Sequence, residues 1–351
     1  MMEIVKRTAF FITCAILAFS ILFVNNSCIG RNTKEERAMQ GKIRDSLIVS
    51  MAGTNPQRAF NFVDSLSAAQ AESQERLAYH RALIYNEMGK KKEVAEWCEK
   101  AIQGDALLEE CPEVFYDVCD LLSTTMTYQG DNEKALSVAL RGYEAAKQDM
   151  TASGRHWMAV LLHDVGYCKM LDGLVDEAEQ CFSLSYIALT QIVMADDRFF
   201  NRHSRARVTF NILDAYTSTG QYDKAKTWLG QAEEAIDMLV SSSECSEKQK
   251  NDYRGGLAIQ KAIVLLETGD RRGADASYAE AQTMDYRNSG LGILESASYL
   301  ERAERWDDLA KMIPRIDSLS KEWGNPASLA RWKKYQVNDT IGNESLQAES
   351  M

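Results

Sequence analysis

The stretch Tyr216–Ile236, YTSTGQYDKAKTWLGQAEEAI, decides how this chain folds. Tyr216 closes one helix, Gly220 makes a turn, and Ala225, Leu229 and Ala232 fall on the inner face of the next helix. Alanine at 225 and 232 lets two helix backbones approach closely, and Leu229 fills the space between them. One such pair is common among helical proteins. Here the pattern recurs. Ala82, Tyr85, Gly89, Val94, Cys98 and Ala101 occupy the same relative places as Leu213, Tyr216, Gly220, Ala225, Leu229 and Ala232. A third copy has Met126, Gly130, Ala135, Ala139 and Gly142, and a fourth has Gly166, Gly173, Ala178, Phe182 and Ser185. A sixth has Ala262, Leu265, Gly269, Ala274, Tyr278 and Ala281. Weaker copies stand at the two ends. The first carries Ala59, Val63 and Leu66 behind an Asn55–Pro56 helix start. The seventh carries Ala297, Leu300, Trp306, Leu309, Ile313 and Ile316, with Glu304 where the glycine belongs.

Composition agrees with a helical chain. The 351 residues include only 4 Pro and 20 Gly, and Ala, Leu, Glu, Lys and Met abound. A net charge of -11 argues against a nucleic-acid partner, which needs a basic face. The cysteines form no C-x-x-C, and no histidine pair has ligand spacing, so no metal site is expected. Cys98 and Cys181 read as small core residues, and Cys168 with Cys181, flanking one turn, is the best candidate for a disulfide. Pro314 should kink or break the last second helix, and Ser241–Asn251, SSSECSEKQKN, reads as a polar loop.

These residues resemble the tetratricopeptide repeat, which places small residues, aromatics and glycine at fixed offsets in a unit of about 34 residues. The resemblance implies an all-α fold, a right-handed α-solenoid of stacked helical hairpins over 38–339, ending in a capping helix after Asn325–Pro326, with a tail at 340–351. Each hairpin alone exposes apolar surface that its neighbours cover. The turn glycines Gly89, Gly130, Gly173, Gly220 and Gly269 are spaced more widely than in the family, so longer helices or loops are expected.

In that family the first helix of each unit lines a concave binding face. Carried over by position, the resemblance implies partner contact at Tyr79, Leu83 and Asn86; at Asp120, Thr124, Thr127 and Tyr128; at His163, Tyr167 and Met170; and at Arg207, Phe210, Asp214 and Thr217. Mixed aromatic and polar residues suit an extended peptide or a helix of a protein partner. No catalytic motif stands out, so a non-enzymatic interaction scaffold without a cofactor is expected. His163 precedes Asp164, but adjacent residues on a helix point to different sides, which argues against a dyad.

At the N-terminus, Lys6 and Arg7 precede the apolar run Thr8–Val24, and Asn25, Asn26, Ser27 and Cys28 follow. This resembles a bacterial lipoprotein signal over 1–27, with Cys28 as the lipidated residue and a polar tether at 28–37 like that of Bacteroidetes surface lipoproteins. Asn25 departs from the aliphatic residue that the family prefers. The implied location is the cell envelope, lipid-anchored and facing the periplasm or the surface; the same run also reads as an uncleaved membrane anchor or a simple secretion signal. Tyr335, Asn338, Asp339, Thr340 and Ile341 are similar to the end of the periplasmic repeat region in Bacteroidetes sensor proteins. That similarity implies an alternative role, the sensory input part of a signalling system whose kinase or regulator output lies on another chain.

Overall fold

The computed structural model describes residues 34–325. The signal, Cys28 and the helix expected after Pro326 lie outside these residues. The chain divides into two compact units between Leu47 and Ile48. The first contributes the start of helix α1 (Lys34–Thr54), which begins within the expected tether rather than near Ala38. The second holds the hairpins. Among the described residues there is no strand, and no helix is long and apolar enough to cross a membrane.

The helices follow in pairs: α2 (Pro56–Ala68) after α1; α3 (Gln74–Glu87) with α4 (Lys91–Ala101); and, after the short α5 (Ala106–Glu110), α6 (Pro112–Gln129) with α7 (Asn132–Gln148). Next come α8 (Ala152–Leu171) with α9 (Val175–Ala195), α10 (Phe199–Ser218) with α11 (Tyr222–Val240), and α12 (Glu247–Glu267) with α13 (Arg271–Ala281). A 3-10 turn at Asp285–Asn288 precedes α14 (Gly290–Arg302) and α15 (Trp306–Trp323). The extra residues of the long units lie chiefly in helices α8 to α12, which run to between 19 and 21 residues.

Several helix starts are set by side chains that accept otherwise unpaired N–H groups. Asn55 accepts from the Arg58 N–H, with Pro56 at the first helical position, and Ser246 forms a reciprocal capping box with Gln249. That box begins α12 at Glu247, so only the first half of Ser241–Asn251 is loop. Helix ends are set by the turn glycines. Gly89, Gly130, Gly173, Gly220 and Gly269 all take φ between 74° and 95°, where a Cβ is costly. At the seventh turn Glu304 takes φ 58° and is exposed, so an L-residue bears the same conformation. Glu304→Gly should therefore stabilise the fold by about 0.5–1 kcal/mol, the relieved left-handed strain exceeding the added unfolded-state entropy. Urea denaturation would measure it, and a loss of stability would contradict the account.

The inner-face residues pack as expected. Ala82, Val94, Cys98 and Ala101 belong to the same buried cluster as Ala135, Phe182, Ala225 and Ala232, so one apolar interior runs through the second to fifth hairpins. A second cluster around Tyr278, Tyr299, Leu300 and Leu309 serves the sixth and seventh. Trp306 is the exception and is 46% exposed. The cysteines Cys98, Cys111, Cys119, Cys168, Cys181 and Cys245 are free thiols, so Cys168 and Cys181 do not pair; all but the half-buried Cys111 sit in the interior as small apolar groups. Helix α15 also passes through Pro314 unbroken. Pro314 lies on the exposed side, where water can satisfy the carbonyl that loses its N–H partner.

Candidate ligand-binding groove

The first helices of the third to fifth hairpins place their functional residues three and four apart, so each set lies on one helix face. On α6 these are Asp120, Thr124, Thr127 and Tyr128; on α8, His163 and Tyr167; on α10, Arg207, Phe210, Asp214 and Thr217. Two adjoining cavities lie between these faces. A small one of about 40 Å³ is bounded by Thr124, Thr127, Tyr128, His163, Tyr167 and Asp214. A larger one of about 350 Å³ is bounded by Tyr128, Phe210, Asp214 and Thr217 together with residues of α12 and α14. Tyr128, Asn211 and Asp214 line both.

Beneath the small cavity lies a charged cluster. Arg207 Nη1 donates to Asp120 Oδ1 at 2.9 Å, joining the fifth hairpin to the third across the fourth. Burial pushes the Asp120 carboxyl up to about 7 against the opposing pull of Arg207, and it pushes Asp164 up to about 6. His163 Nδ1 lies 2.9 Å from Asp164 Oδ1. The two neighbours on α8 therefore do meet, contrary to the reading from helix geometry. Both sit on the inward half of the helix, where a neutral imidazole can donate sideways to the next carboxylate. Burial, assisted by the Arg207 charge, lowers the imidazole to about 3, so it is neutral at physiological pH.

At the far side the Tyr167 hydroxyl donates to Asp214 Oδ2 at 2.7 Å, and Gln260 Nε2 donates to Asp214 Oδ1 at 2.8 Å. The same amide reaches Glu295 at 3.3 Å, and the Tyr286 hydroxyl donates to Glu295 at 3.0 Å. Thr217 donates to Gln260 Oε1 at 2.5 Å, which turns the amide NH₂ toward the two carboxylates. Burial and the neighbouring Asp214 raise Glu295 to about 8, and burial raises Asp214 as well. The rim is tied by the end of the array. Asn325 donates to the Tyr128 carbonyl at 2.7 Å, and Trp323 lies 5.6 Å from the Tyr128 ring.

Of the residues expected to face a partner, Thr124, Thr127, Tyr128, His163, Tyr167, Phe210, Asp214 and Thr217 border the cavities. Asp120 and Arg207 are turned to one another. Tyr79 is buried and donates to Asp117, Leu83 and Met170 pack in the interior, and Asn86 accepts from Lys91 at 3.1 Å. On the second hairpin Tyr79 and Leu83 are thus given to packing, and Asn86 to Lys91. Sequence reasoning omitted Asn211, Gln260, Glu295 and Arg302. The positional rule, applied to the sixth and seventh hairpins as well, would have pointed at that face.

The tetratricopeptide repeat family pattern matches residues 206–236, from the middle of α10 through most of α11. The chain thus carries a tetratricopeptide repeat within a solenoid of tetratricopeptide-like helical hairpins. Among solved structures, the Rap protein complexed with competence and sporulation factor is 15% identical, with a TM-score of 0.56, over 85% of this chain and 76% of that one. The apo form of RapI is 13% identical, with a TM-score of 0.52, over 85% of this chain and 99% of that one. At such identity these similarities establish the shared tetratricopeptide-type fold and nothing finer. No curated protein matches the chain.

Proposed function

We propose that this tetratricopeptide-repeat protein is a non-enzymatic receptor for an extended peptide or a protein segment, held at the cell envelope by lipid on Cys28. The observation that carries the binding role is the pair of adjoining cavities faced by successive first helices, with aromatic rings and polar groups mixed along their walls. The solved Rap structure bound to competence and sporulation factor supports this use of the fold by analogy. The His163–Asp164 contact does not argue for nucleophilic chemistry. Of the nearby hydroxyls, Ser123 donates to the Ala135 carbonyl at 3.0 Å and Thr127 to the Ser123 carbonyl at 3.0 Å, so neither is engaged with the imidazole. The anchoring half of the reading rests on the Thr8–Val24 run and Cys28 in the sequence.

Asn211 lines both cavities and is only partly buried, so Asn211→Trp should plug the groove without disturbing the core. Affinity capture from envelope extracts, followed by titration of the recovered partner, should show at least a roughly tenfold loss of affinity, with thermal melting little changed. Tyr167→Ala would be a poorer probe, since Tyr167 also packs against the core and holds Asp214. A plugged variant that binds the same partner as tightly as the parent would rule out the groove.

A further inference from the structure

The two cavities are unusually rich in acceptors. The His163 ring is buried, 2% exposed, and borders the small cavity; its Nδ1–H is engaged by Asp164, and Nε2 has no hydrogen-bond partner. Asp164, 5% exposed, also borders that cavity, but its carboxyl is hydrogen-bonded to the Asp120 carboxyl. Buried polar atoms are nearly always paired, so the bare His163 Nε2 at this cavity marks a place where a donor belongs. Asp214 stands on the opposite wall and accepts only from the neutral donors Tyr167 and Gln260. Glu295, beside the larger cavity, is kept mostly protonated at neutral pH by burial and the neighbouring Asp214, so it adds no charge there.

The nearby cations are committed elsewhere. Arg207 is paired with Asp120, and Arg302 lies 3.2 Å from Glu267 and donates to Ser298. A carboxylate accepts several hydrogen bonds, and a bare imidazole nitrogen can only accept. A metal ion does not suit the arrangement: among the described residues no group of three or more His, Cys, Asp or Glu converges to hold one.

We infer that the small cavity is a subsite for a cationic side chain, arginine or lysine, of a peptide lying in the larger cavity, with His163 Nε2 and Asp214 accepting its N–H groups. The dimensions agree. The larger space can take several backbone atoms, whereas the smaller takes one side-chain tip reaching past Asn211 and Asp214, which border both. Apolar Phe210, Ile263 and Leu291 line the larger cavity and suit the uncharged neighbours of that residue. The inference rests on the peptide-receptor reading above.

The experiment uses the full chain and an equimolar pool of random octapeptides. Peptides retained by the protein are sequenced by mass spectrometry, and the tightest binder is resynthesised with citrulline, or acetyl-lysine, in place of its basic residue. Retained peptides should be enriched in Arg or Lys at one position, and the neutral isostere should bind at least tenfold more weakly. Asp214→Asn should lose the enrichment as well. Because the citrulline comparison is made on the unaltered protein, a folding defect in Asp214→Asn cannot mimic the result. Retention of peptides with no basic enrichment, or equal binding of the citrulline form, overturns the cationic subsite and leaves the groove standing. Retention of no peptide overturns both.

Discussion

Arg207→Ala is expected to cost about 2–4 kcal/mol of stability at pH 8 and clearly less at pH 5. Among the described residues Arg207 is the guanidinium in direct contact with Asp120, at 2.9 Å, and only 10% of the Asp120 side chain is exposed. Removing one partner of a buried pair leaves the other charge uncompensated, which typically costs about 3–5 kcal/mol; the quarter of the Arg207 side chain that reaches solvent lowers that figure. The pH dependence follows from linkage. Asp120 holds its proton up to about 7 in the folded protein and Asp164 up to about 6, both above the ordinary carboxylate value of about 4. The folded state therefore binds more protons than the unfolded chain between those limits, and stability falls as pH rises through this window. Without the guanidinium the folded values climb further, so the variant keeps losing stability at pH values where the parent has levelled off. Arg207→Ala with Asp120→Asn should recover most of the loss, because the stranded charge is gone. Urea melts of the three proteins at pH 5 and pH 8 measure all of this. An equal cost at both pH values, or no recovery in the double variant, would show that Arg207 acts by packing alone.

Gly166→Leu is the second large effect, expected to cost about 3 kcal/mol or more. A Cβ at position 166 would lie 2.9 Å from the Cys181 Cβ and 2.9 Å from the Phe182 ring, and Phe182 is fully buried. Helices α8 and α9 are thus in near backbone contact there, and a larger side chain must push them apart. Separation would also move His163 and Tyr167, which α8 carries into the groove, so ligand binding should weaken together with stability. Gly230→Ala is the matched control. It lies exposed in α11 with nothing within 4 Å of a new Cβ, and should stabilise by about 0.5–1 kcal/mol through helix propensity. Thermal denaturation of both variants tests the contrast, and a Gly166→Leu protein as stable as the parent would contradict close helix approach at this point.

Much of the candidate groove was legible because position in a repeated hairpin determines direction. Once Gly130, Gly173 and Gly220 mark the turns, the residues preceding them by fixed offsets must share a face, and Tyr128, His163, Tyr167 and Asp214 do border the cavities. The same rule misplaced Tyr79 and Met170. Whether a first-helix face meets space or a neighbour depends on what stands opposite, and for these two it is other side chains of the shared interior.

By itself the sequence determined the helical hairpins, their order and their turns, because these depend on local features: glycine at positive φ, caps such as Asn55 and Ser246, and small residues spaced for helix contact. Only the tertiary structure decided how distant hairpins exchange polar groups. Arg207 reaches Asp120 over a separation of 87 residues, and Asn325 reaches the carbonyl of Tyr128 over 197. Such contacts depend on how small rotations between successive units accumulate, and no local pattern of residues encodes that sum.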